Sequence, residues 1–150
     1  MDLKAIADAI AGRFTGITAT VNGSAEALTL CTASLPNTIA KGPVLLVYPP
    51  TGQLDIGTSA RRDDLYSFPV MLLRDPLNVP TRTDALYAWY GAMHDRVAAD
   101  MDLGLGGYVS IAEVSAVRMQ IDGEEYAQAL FDVVELTVLV RVNETVAVSV

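Results

Sequence analysis

The chain has 150 residues, 51% of them hydrophobic and 19% charged, and its ten Lys and Arg against eighteen Asp and Glu leave a net charge of −8. That balance argues against gripping nucleic acid, where affinity rests mainly on neutralised phosphates, and against an anionic membrane surface as partner. No run approaches the roughly 20 apolar residues of a membrane span, the opening MDLKAIADAI lacks the basic region of a signal peptide, and the single Cys31 excludes an internal disulfide framework and fits a reducing compartment.

One domain over 1–150 is expected from the length. Residues 2–14 read as an amphipathic helix, with Leu3, Ile6, Ile10 and Phe14 on one stripe and Asp2 at its positive end. Thr15-Gly16 stops it. A short strand is predicted in 27–33, a loop in 34–42, and a buried strand from Val44 to Tyr48 that Pro49 and Pro50 close. Residues 53–64 (QLDIGTSARRDD) combine glycine, serine and clustered charge, and so predict an exposed loop with a brief strand at 53–56. The stretch 65–74 alternates through Tyr66, Phe68, Val70 and Leu72, and Pro69 inside it predicts an edge or a bulge.

A loop follows at 75–80, then the clearest helix, 81–100. Thr81 and Asp84 have the form of a capping box, Leu86, Tyr90, Met93, Val97 and Met101 make the core stripe with Trp89 beside it, and 104–107 (GLGG) ends it. Two long strands are expected at about 107–121 and 125–142, joined by Asp122-Gly123 as a hairpin turn. In the second of them Val134, Leu136, Val138, Val140 and Val142 share one face, predicted to lie toward the helices. Val146, Val148 and Val150 carry the alternation on after residue 143, as an extended arm that meets a neighbouring copy or packs on its own domain. Strands and helices are segregated, so the fold class is α+β: a mostly antiparallel sheet, an N-terminal helix and one longer helix on one face, and a long C-terminal β-hairpin.

The residue types that carry chemistry are sparse. His94 is the one histidine and Cys31 the one thiol, too few for a His- or Cys-rich metal site. The GLGG stretch at 104–107 follows a helix and lacks the lysine and hydroxyl of a phosphate loop. The carboxylate pairs Asp63-Asp64, Asp100/Asp102 and Glu124-Glu125 fall at turns or element ends, where charge is ordinarily solvated. No catalytic, cofactor-binding or metal-binding residue is predicted. Trp89 and Tyr90 read as core, while Tyr87 points elsewhere and, if exposed, marks an interface. The loop 57–64 is expected to contact a neighbour, with Arg61 or Arg62 pairing carboxylates and Asp63 and Asp64 beside them.

The order of elements resembles the tail terminator (tail completion, or tail-to-head joining) proteins of long-tailed bacteriophages. The resemblance covers nearly the whole chain: a short amphipathic helix (LKAIADAIAGRF), an apolar strand ending in a prolyl turn (GPVLLVYPP), a strand after a polar loop (YSFPVMLLR), an aromatic-bearing helix (TDALYAWYGAMHDRVA) and a closing alternating strand (FDVVELTVLVRV). It implies a structural, non-enzymatic virion protein at the neck or top of the tail, made in the host cytoplasm. Six copies would form a ring that caps the major tail tube protein, stops its polymerisation and meets the head–tail connector or stopper protein. DNA would pass through the lumen without sequence-specific binding, and an acidic wall would repel phosphates. The alternatives are another head–tail joining or minor tail protein, or a small-molecule-binding or enzymatic α+β domain.

Overall fold

A computed structural model describes residues 2–39, 42–55, 61–75, 82–99 and 109–145. Helix α1 spans Leu3–Phe14, and Asp2 caps it by accepting hydrogen bonds from the backbone of Lys4 (3.0 Å) and Ala5 (3.3 Å). Its stripe of Ile6, Ile10 and Phe14 is fully buried. The helix stops at Thr15, and Gly16 takes the left-handed conformation at φ +83°. Two short strands follow that the apolar pattern did not suggest, β1 (Thr18–Val21) and β2 (Ser24–Ala27). They form a separate two-stranded antiparallel sheet. Asn22 (φ +51°) and Gly23 (φ +77°) supply the two left-handed residues of a tight hairpin turn.

The main sheet has six strands: β3 (Leu30–Thr32), β4 (Val44–Val47), β5 (Thr51–Asp55), β6 (Arg61–Arg74), β7 (Val109–Tyr126) and β8 (Ala129–Thr145). Helix α2 (Arg82–Ala98) lies between β6 and β7 in the chain. The order across the sheet is β3-β4-β6-β8-β7, with β5 also paired to β6, and only β3–β4 is parallel. The α+β class, the mostly antiparallel sheet, the two helices and the C-terminal hairpin are therefore as the sequence predicts. No described helix is long and apolar enough to cross a membrane.

Register assigns the two faces. Val134, Leu136, Val138 and Val140 stand opposite Leu72, Val70, Phe68 and Tyr66, and these side chains form one buried cluster with α1 and with Leu86, Trp89, Met93 and Val97 of α2. Both helices cover this face. The opposite face is apolar at one end, where Val44, Leu46, Leu73, Phe131 and Val133 are buried together and Ile39 packs against them. The Tyr126 hydroxyl donates to the Pro36 carbonyl there, which ties the 36–39 segment to the hairpin.

Three expectations change. The loop expected over 53–64 narrows: the brief strand expected at 53–56 is β5 at 51–55, 61–64 begin β6, and 56–60 lie outside the described residues. The charged run disguises a strand because alternation, not composition, decides the structure, and Asp64 sits in phase with Tyr66 and Phe68. Pro69 lies in a central strand rather than at an edge or bulge. β4 pairs β6 only through Val70 and β5 only from Ser67, and the Tyr48 amide donates to the Pro69 carbonyl at 2.8 Å. A strand residue points its N–H and C=O to the same side. The missing N–H of Pro69 thus faces the break between β4 and β5, and the ladder to β8 runs on past it.

The hairpin turn is Ala127-Gln128 rather than Asp122-Gly123. Ala127 and Gln128 take φ +51° and +69°, while Asp122 (φ +52°) sits in a β-bulge where the register shifts between Gln120 and Glu124. Extending the hairpin beyond Asp122 lets Phe131 enter the second apolar cluster and Tyr126 pack against it. Thr81, Met101, residues 104–107 and Val146, Val148 and Val150 lie outside the described residues.

Candidate interaction surface

The residues predicted to contact a neighbour scatter. Arg61 and Arg62 stand opposite Thr145 and Glu144 of β8, and Asp63 opposite Asn143. Asp63 and Asp64 are flanked on the other side by Asp55 and Leu54 of β5. Asp64 is fully buried. Their expected place in a polar loop is therefore corrected: they are ladder residues, two of them paired on both sides. Residues 57–60 are outside the described residues. Tyr87 is where the sequence placed it, on the outer surface of α2 and 62% exposed. Trp89 is fully buried and Tyr90 packs against the core. His94 lies exposed on α2, its ring 5.8 Å from that of Tyr90. The Cys31 thiol donates to the Ala11 carbonyl at 3.1 Å, and burial pushes its pKa up, so it behaves as a structural group.

The exposed apolar groups are placed unevenly. Val117 and Met119 of β7 stand opposite Leu136 and Val134, so they share the helix-covered face, yet α2 does not reach far enough to cover Val117 (47% exposed) or Ile121 (42%). Between α2 and β7 runs a cleft of about 310 Å³ lined by Thr83, Leu86, Tyr87, Met119, Gln120 and Ile121. Strand β7 is the last in the sheet, with one edge unpaired among the described residues. At the opposite end β3 is also an edge, with Leu30 (38%) and Leu35 (41%) exposed beside it. Among the described residues β5 also pairs on one side only, but it is the two end strands, β3 and β7, that have exposed apolar side chains beside their open edges, and these suit contact between one patch and a different patch.

Pattern reasoning missed three ionic clusters. Arg82 at the start of α2 grips Asp132 of β8 with two hydrogen bonds (3.0 and 2.7 Å) and also donates to Asp122 (2.7 Å), whose own amide donates to Asp132 (2.9 Å). Arg74 at the end of β6 grips Glu26 of β2 (2.9 and 3.1 Å), and the Trp89 indole donates to the same carboxylate at 2.8 Å. On the other face Arg118 bridges Glu135 (2.9 Å) and Glu124 (3.1 Å). Burial and then the negative charges of Glu124 and Glu135 help push the nearby Tyr48 hydroxyl up to about 12. The sequence held one usable signal. Arg74 and Asp132 occupy core-parity positions on strands that pair, and a charge in that phase needs a partner.

Burial alone would raise Asp132, but the hydrogen bonds of Arg82 and the Asp122 amide and the charges of Arg82 and Arg74 outweigh it and hold this carboxyl below the usual range. Burial likewise opposes, and the Arg74 and Trp89 hydrogen bonds overcome, the shift at Glu26. Both groups therefore stay ionised and engaged, arranged to join elements rather than to exchange protons near neutral pH. Among the described residues, no set of His, Cys, Asp and Glu gathers to hold a metal ion. Neither protein-family models nor curated proteins match this sequence.

Proposed function

We propose that this chain is a self-associating structural subunit of a bacteriophage neck, a tail terminator. It would form a hexameric ring that caps the tail tube, joins it to the head connector and lets DNA pass. The observation that carries the reading is the sheet, whose end strands β3 and β7 each have one edge unpaired among the described residues and exposed apolar side chains beside it. A ring needs two different complementary patches on one subunit, and closing it covers edges that would otherwise invite uncontrolled pairing. The order of elements supports the same reading. So do the ionic clusters, which lock strands and helices together. The excess of carboxylates suits a lumen that must not hold DNA.

Native mass spectrometry of the purified chain tests this. The expected species is six copies of the 16.0 kDa subunit, in solution or on added tail tubes. A chain that stays monomeric and leaves tube length unchanged removes the reading. The apolar cleft between α2 and β7 favours the second reading, a small-molecule-binding domain. A stable dimer whose melting temperature rises with added apolar metabolites would favour it over the ring.

A further inference from the structure

The β1–β2 hairpin stands apart from the rest of the fold. Among the described residues, its ladder joins the two strands only to each other, through four pairs from Thr18↔Ala27 to Val21↔Ser24. Backbone ties to the body flank it: Ile17 donates to Phe14 before it and Thr29 to Pro43 after it. An isolated two-stranded hairpin is at best marginally stable in water, so side chains must hold this one down. From β1 come Ala19 and Val21, both small and buried. β2 contributes one side chain that is not exposed, that of Glu26. Glu26 joins three elements at once, since Arg74 closes β6 and Trp89 lies on α2.

We infer that the β1–β2 hairpin is a releasable strap across α2, latched by the Glu26 carboxylate, which opens as a unit while the six-stranded sheet stays folded. Opening withdraws Ala19 and Val21 from the core and breaks the Trp89 hydrogen bond. It leaves the guanidinium of Arg74 facing Asp132, its partner position on β8. The latch is charge-assisted and fixed in direction by the two parallel Arg74 bonds, so it is the strongest single tether on the strap. Trp89 is the one tryptophan of the chain, which makes it a native reporter.

Amide hydrogen exchange on the full chain tests the strap in whatever oligomeric state it adopts, so the result is independent of the ring reading. In the unaltered protein, the amides of 18–27 are expected to exchange by a sub-global opening, about a hundredfold faster than those of Phe68–Leu72 and Leu136–Val140. Glu26→Gln keeps the shape and removes the charge. It should speed exchange of the hairpin about tenfold and that of β6 and β8 by no more than the same factor, because the latch is lost both when the strap opens and when the whole chain unfolds, and it should shift Trp89 emission to the red. The inference fails if the hairpin exchanges together with β6 and β8 in the unaltered protein. It also fails if Glu26→Gln leaves exchange of the hairpin unchanged or is recovered unfolded, or if Leu136→Ala, which loosens the sheet that stays folded when the strap opens, speeds the hairpin as much as β6 and β8.

Discussion

Strands β7 and β8 are partners of nearly equal length, yet they are built differently. β8 pairs with β6 through fourteen consecutive partners without a break, and its helix-facing valines and leucine are all fully buried. β7 pairs with the same β8 through three register shifts and leaves Val117 and Ile121 exposed. The core fixes β8, because a slip of one residue would turn every apolar side chain to the wrong face. Among the described residues β7 has one neighbouring strand and half a cover, so bulges are tolerated there, and they blunt an edge that carries no lysine or proline. Regularity follows burial on both sides, while irregularity collects where pairing must end.

The comparison can be broken most sharply at Leu136. Leu136→Ala should cost about 3 kcal/mol in a urea unfolding series, because the cavity opens under both helices. Its partner position on β7 is the control: Val117→Ala should change stability by less than about 0.5 kcal/mol. Asp132→Ala should come next, at about 2–3 kcal/mol, since it strips a buried partner from Arg82. At the bulge, Gly123→Ala places a Cβ 2.7 Å from Val133 Cγ1 and from Gln120 Cβ, and should cost about 1–2 kcal/mol.

Acid sharpens the contrast between clustered and open regions. Glu26 and Asp132 titrate below their ordinary 4.5 and 3.8, so their contribution is complete above those values and is lost as pH falls through the lowered ones. Urea midpoints measured from about pH 6 to about pH 3 should fall at the acid end, and Glu26→Gln should flatten that fall. The smallest effect on stability is expected from Val117→Lys, within about 0.5 kcal/mol. A charge on the open edge should nonetheless shift the native mass spectrum toward monomer if β7 is one of the joining edges.

Much of this architecture is written in alternation and helical spacing. The phase of Val134 to Val142 placed β8 under the helices, and Leu3, Ile6, Ile10 and Phe14 placed α1. What stayed hidden has physical causes. β1 and β2 are four residues each, too short for periodicity, and Asn22-Gly23 alone marked their turn. The charges of 61–64 masked a strand held by pairing on either side. Asp122-Gly123 has better turn chemistry than Ala127-Gln128, but packing of Tyr126 and Phe131 outweighs it. Of the candidate surface, only the exposure of Tyr87 was legible. The open edges depend on strand order, which no local pattern encodes.

The unbroken β6–β8 register also has a mechanical consequence. A pull directed along β8 loads its ladder in shear, so fourteen residue pairs share the force at once rather than parting one after another. The same pull on the β1–β2 hairpin meets four. Under tension the two ladders should therefore yield in sequence, the short one first, with the long one acting as the rod that carries load from one end of the molecule to the other.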